Sequence, residues 1–183
     1  MNPVLLLVDI QNDYFPGGAM ELHESEKAAK RAEDLLLSFR KKKFPVVHVR
    51  HVSTRPGSTF FLPGTQGADI RPCVLPEEGE TVFVKHFPNS FRETPLLGRL
   101  RELNPDRLII AGMMTHMCID TTVRAAADLG FSCTLAGDAC ATKSLAFGET
   151  VVPAEQVQAA FLAALGGAFA RVEAAGAVCS SLD

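Results

Sequence analysis

The chain has 183 residues, 47% of them hydrophobic and 21% charged, with a formal net charge of −3. That is long enough for a single domain, residues 1–183, to bury a core without disulfide or metal staples, and too nearly neutral to favour nucleic acid or an anionic membrane surface as a partner. Cys73, Cys118, Cys133, Cys140 and Cys179 form no C-x-x-C pair, which argues against a disulfide framework or zinc knuckle and fits a reducing cytoplasm.

The first apolar run, Val4 to Val8, gives way at once to Asp9-Ile10-Gln11-Asn12-Asp13. It therefore reads as a buried strand and not as a signal peptide or a spanning helix. Glu24 to Lys42 repeats Ala28, Ala32, Leu35, Leu36 and Phe39 at helical spacing and closes on the basic run Arg40 to Lys43, suited to a helix C-terminus. Val46 to Arg50 is a second strand. His51 to Gly79, broken by Pro56, Gly57, Pro63, Gly64, Gly67, Pro72 and Pro76, is expected to be a long functional loop that walls a pocket.

A third strand follows at Thr81–Val84 and ends on Lys85. Thr94 to Glu102 is a short helix with Pro95 in its first turn. Arg107 to Ala111 is a fourth strand, and a helix from about His116 to Leu129 is capped by Gly130. Phe131–Ala136 is a fifth strand, Pro153–Phe169 a long helix and Ala170–Val172 a short sixth strand. This alternation specifies a three-layer α-β-α fold, a mostly parallel six-stranded sheet with helices on both faces. Such sheets bind ligands beyond the carboxyl ends of their strands, near a topological switch point.

Three reactive side chains fall at that edge: Asp9 after the first strand, Lys85 after the third, and Cys118 one turn beyond the fourth. A thiol in a helix's first turn is expected to have a lowered pKa, and free backbone N–H groups there suit the oxyanion formed when a thiolate attacks a carbonyl. Asp9 suits the role of base for the thiol, with Lys85 as the electrostatic partner of both. The trio points to a cysteine hydrolase.

Asp9 through Phe15, Lys85 with Asn89-Ser90-Phe91, and Gly112-Met113-Met114-Thr115-His116-Met117-Cys118-Ile119 together resemble the isochorismatase-like cysteine hydrolases, from Val4 to about Ala168. The resemblance implies a Rossmann-like fold and a catalytic triad of Asp9, Lys85 and Cys118. It implies cleavage of a C–N bond in a small amide, lactam, carbamoyl or ureido compound through a thioester. It further implies a non-proline cis peptide at Met113-Met114, an oxyanion hole from the Met114 and Cys118 N–H groups, and a homo-oligomer, dimer or tetramer. Where nicotinamidases of this family carry an Asp-x-His metal site, this chain has His51-Val52-Ser53. No metal and no cofactor are therefore expected.

His48 and His51, three apart on a strand, belong to opposite faces and make no local metal pair. Phe15, His51, Phe91 and His116 are candidate substrate-binding residues, with Phe60, Phe61 and Leu62 as apolar lining of a small-molecule pocket. One competing reading keeps the fold but uses Asp9 without the thiol, as in vinyl-ether hydrolysis by isochorismatases proper. Another is a non-catalytic module, either a phospho-receiver or interaction domain or one with a redox role for Cys118. A nucleotide-binding domain fits poorly, because the turn after the first strand has no G-x-G-x-x-G.

Overall fold

The computed structural model describes residues 1–182. Its elements, in chain order, are β1 (Pro3–Val8), α1 (Ser25–Lys42), β2 (Val46–His51), β3 (Thr81–Lys85), α2 (Leu96–Leu103), β4 (Arg107–Met113), α3 (Asp120–Asp128), β5 (Cys133–Ala141), β6 (Leu145–Phe147), β7 (Thr150–Val152), α4 (Ala154–Ala168), β8 (Ala170–Glu173) and α5 (Ala175–Ser180). Six strands form one sheet in the order β3-β2-β1-β4-β5-β8. Every pairing in it is parallel.

The core explains the near-continuous apolar strands. Leu5 and Leu7 of β1 join Ile109 and Ala111 of β4 on one face, beneath Ala28, Ala32, Leu35, Leu36 and Phe39 of α1 and Val178 of α5. Val4, Leu6 and Val8 join Leu108 and Ile110 on the other, against Leu96 and Leu100 of α2, Val123 and Ala126 of α3 and Leu165 of α4. A strand sandwiched between two helical layers is apolar at both parities, which is why β1 is buried along its whole length.

The chain winds outward from β1 to β2 and β3, then returns to place β4 on β1's other side. The switch point therefore lies between β1 and β4. The two strands run close there: Gly112 has φ +138°, and a Cβ on it would lie 1.9 Å from the Val8 carbonyl oxygen. Only glycine fits, and the fit sets the segment after β4 beside Asp9.

Several details differ from the sequence reading. The expected helix from His116 starts as a π-helical turn, Thr115–Ile119, before α3 proper. β5 runs on to Ala141, through a register shift against β4 between Ile110 and Gly112. The β6–β7 hairpin and α5 were not anticipated, because three-residue strands and a six-residue Ala-rich helix carry too little periodicity to be read. The loop after β2 contains two short 3-10 turns, Gln66–Ala68 and Pro72–Val74. No helix among the described residues is long and apolar enough to cross a membrane.

α4 stands apart in composition. Glu155 is its one charged residue, and of its 15 residues only Ala154, Val157 and Leu165 are buried. Beside it in sequence, the hairpin leaves Phe147 90% and Val151 66% exposed.

Candidate active site

Asp9, Lys85 and Cys118 meet. Lys85 Nζ lies 2.7 Å from Asp9 Oδ2 and donates to Cys118 Sγ at 3.2 Å. Asp9 and Lys85 are 0% exposed and Cys118 5%, so their charges interact in a medium far less screening than water. Lys85 starts two strands away from β1 and reaches across the end of β2, where it also donates to the Phe87 carbonyl at 3.1 Å and contacts His51 Nδ1 at 3.3 Å.

Each member is fixed by its local backbone. Asp9 takes a left-handed conformation, φ 52°, with its N–H bonded to the Val49 carbonyl at 2.9 Å and its carbonyl accepting from Gln11 N–H at 3.0 Å. A non-glycine residue in that region is uncommon, and aspartate is among the types that tolerate it. Cys118 lies in the π-helical turn, a feature frequent at functional sites. The Met113–Met114 peptide is cis, and the Met114 carbonyl accepts from the N–H groups of Met117 and Ile119 at 3.0 and 3.1 Å.

The electrostatics correct one expectation. Burial, and then the Asp9 carboxylate, push the Cys118 thiol well above its ordinary value, and Lys85 offsets this only in part. The thiol therefore rests protonated, where a helix start alone had suggested a thiolate: the sulfur sits deep in the fold beside a negative charge. Burial works against the Lys85 ammonium, yet Asp9 and Cys118 outweigh it and hold its pKa above the usual lysine value. His51 is lowered to about 4 by burial and by the neighbouring Lys85 charge, so it is neutral at physiological pH.

Of the remaining candidates, His51 bonds to the trio, through Lys85. Phe15 is buried in the core with the Arg71 guanidinium 4.4 Å from its ring centre. Phe91 stacks on Phe131 at 6.4 Å. His116 follows the cis peptide, but its Nδ1 pairs with Thr142 Oγ1 at 2.5 Å and its ring abuts Phe161. Phe60 and Phe61 pack together and against Tyr14, with ring centres 4.6 Å apart for Tyr14 and Phe61. Leu62 is exposed. His48 turns away from His51 to meet Glu80 Oε2 at 2.9 Å, in a network with Arg40. Among the described residues no group of three or more His, Cys, Asp or Glu is arranged to hold a metal ion.

Sequence reading missed the residues that tie the long loop down. Gln11 Nε2 donates to the carbonyls of His51 and Ala68, both at 2.8 Å, and Gln11 Oε1 accepts from His51 N–H at 2.7 Å. Asp13 Oδ2 accepts from Phe61 N–H at 2.6 Å. Asn12 Nδ2 donates to the Gln66 carbonyl at 2.9 Å. The run Gln11-Asn12-Asp13 thus sews residues 51–70 to the end of β1. A buried Gln and Asp directly after a strand were the available signal, since such groups must find partners.

The isochorismatase domain family matches residues 3–174. The chain is 50% identical over 173 residues to the isochorismatase family protein YddQ of Bacillus subtilis (strain 168), covering 94% of this chain and 96% of that one. A solved structure of an isochorismatase hydrolase from Oleispira antarctica superposes with a TM-score of 0.94 at 48% identity, covering 98% and 96% of the two chains. The nicotinamidase/pyrazinamidase of Mycobacterium tuberculosis (strain ATCC 25618 / H37Rv) is 27% identical over 149 residues, 70% of this chain and 80% of that one. With its three-layer parallel sheet and this extent of similarity, the chain belongs to the isochorismatase family of hydrolases.

Proposed function

We propose that the protein hydrolyses a C–N bond of a small amide, lactam, carbamoyl or ureido compound with Cys118 as nucleophile. The observation that carries this reading is the Lys85 ammonium bridging Asp9 Oδ2 at 2.7 Å and Cys118 Sγ at 3.2 Å in the protein interior. The Cys118 thiol is hydrogen-bonded to the Asp9 carboxyl, which is therefore placed to take the thiol proton. The thiolate attacks the substrate carbonyl carbon. As the C–N bond breaks, the proton held by Asp9 passes to the leaving nitrogen, and an acyl thioester remains on Cys118. Water, deprotonated by Asp9, attacks the thioester, and the acid leaves as the proton returns to sulfur.

A thiol that rests protonated suits this sequence. Proton transfer to Asp9 accompanies attack, and Lys85 stabilises the negative charge as it moves from the carboxyl to sulfur. The backbone N–H groups of Met114 and Cys118 are assigned to the oxyanion. The vinyl-ether alternative leaves Cys118 idle, whereas here the thiol shares the same ammonium as Asp9.

The exposed, nearly uncharged second half of α4 and the Phe147 hairpin support self-association as a dimer or tetramer, since an exposed apolar patch ordinarily requires cover. Five unpaired cysteines support a cytoplasmic location. The test of the activity is ammonia or amine release from a panel of small amides, lactams and ureido compounds, with Cys118→Ala alongside and a chelator present. Activity lost in Cys118→Ala and untouched by the chelator is expected; activity surviving in Cys118→Ala would overturn the reading.

A further inference from the structure

Several polar atoms around the trio lack a hydrogen-bond partner among the described residues. Thr115 Oγ1, in the same turn as Cys118, is shut off from solvent without one. The Tyr14 hydroxyl and His51 Nε2 also have none. Polar atoms at the margin of a buried site with no protein partner are ones a ligand can complete.

The two donors among these are held in place. Tyr14 is 1% exposed and packs edge-on against Phe61 at 4.6 Å; burial first, and then its neighbours Cys118, Asp9 and Asp13, push its phenol pKa up and keep it a donor. His51 packs on the same Phe61 ring at 5.9 Å. The Lys85 ammonium has only protons to offer, so His51 Nδ1 accepts and the ring proton resides on Nε2. Gln11 grips the His51 backbone through both N–H and carbonyl.

The charges of the trio are already matched. Lys85 is engaged by Asp9, Cys118, the Phe87 carbonyl and His51 Nδ1, four acceptors sharing its three protons, and Asp9 by Lys85. Neither a free cation for a carboxylate nor a free anion for an amine is left at the reacting end. We propose that the Tyr14 hydroxyl and His51 Nε2–H are paired uncharged donors that hold an acceptor atom of the substrate beside its reacting carbonyl. The site thereby selects a neutral amide or ureido compound and rejects one with a carboxylate at that end. The proposal rests on the cysteine-hydrolase reading above and adds its substrate class.

Iodoacetamide and iodoacetate test it without knowledge of the substrate. Both alkylate a thiol in the same way: sulfur bonds to the methylene carbon, iodide leaves, and the thiol proton passes by way of Asp9 to solvent. They differ in presenting a neutral amide or a carboxylate. Rates at Cys118 are measured by intact mass and peptide mapping, each divided by the rate with glutathione in the same buffer. The amide-over-carboxylate preference at Cys118 should exceed that of glutathione by about tenfold, the size of one or two hydrogen bonds.

Tyr14→Phe, which keeps the ring, should reduce the preference several-fold with an unchanged melting midpoint. His51→Asn keeps an acceptor for Lys85 but has no distal donor and should do the same. His51→Gln, which restores a distal N–H, should largely retain the preference. A Cys118 ratio equal to that of glutathione, no labelling by iodoacetamide, or a ratio indifferent to both Tyr14→Phe and His51→Asn would overturn the proposal. Failure of the underlying reading is seen separately, as substrate hydrolysis by Cys118→Ala.

Discussion

Replacing Lys85 by methionine probes the ion pair at the centre of the site. Both partners are fully buried and 2.7 Å apart. Lys85→Met preserves the length of the side chain but leaves the Asp9 carboxylate in the interior with no countercharge. Removing one partner of a buried pair costs about 3–5 kcal/mol. For a chain of this size each kcal/mol moves the melting midpoint by about 2–4 °C, so the variant should melt about 6–20 °C below wild type. The double variant Asp9→Asn, Lys85→Met removes both charges and should recover much of the loss while remaining inactive. Differential scanning calorimetry of the four proteins closes the cycle. A single variant melting within 2 °C of wild type, or a double variant whose loss equals the sum of the two singles, would refute the description of this pair as buried and mutually compensating.

Gly67→Ala would place a Cβ 2.1 Å from Asp13 Oδ1 and displace the carboxylate that holds Phe61 N–H; kcat/KM should fall at least about tenfold, as expected for loss of a charge-assisted hydrogen bond. His51 titrates at about 4 in the fold, below its unfolded value near 6.5, because burial and Lys85 oppose its protonation. The unfolded chain therefore binds the extra proton in between, and stability should drop as pH falls from 6.5 to 4, by up to about 3 kcal/mol at full effect. Urea titrations should show less of this acid sensitivity in His51→Gln, and an unchanged slope would contradict the assignment. Light scattering should give a mass that is a multiple of 19.7 kDa, shifted toward monomer by Phe147→Asp with Ala164→Asp; a monomeric wild type would exclude self-association.

Much of the architecture was legible because the strands of a doubly covered parallel sheet are short apolar runs and α1 has a clean helical stripe. Asp9 and Lys85 were legible for the same reason, as polar chemistry at the ends of such runs. The protonation state of Cys118 was not, because it depends on burial and on a carboxylate more than one hundred residues away in sequence. The clamp by Gln11, Asn12 and Asp13 was hidden likewise: its partners are carbonyls and N–H groups of residues 51–68, which carry no mark in the sequence. For Phe15 and Phe91 the sequence leaves the role open, since an aromatic residue near a motif has the same letter whether it packs in the core or lines a pocket.

The most direct test of the central claim is to trap the intermediate. Wild-type protein quenched with acid during turnover of a hydrolysed amide, then digested and weighed, should carry the acyl mass on the peptide containing Cys118, and Asp9→Asn should not accumulate it. An acyl group on any other residue, or steady turnover with unmodified Cys118 at every quench time together with an active Cys118→Ala, would contradict covalent catalysis by this thiol.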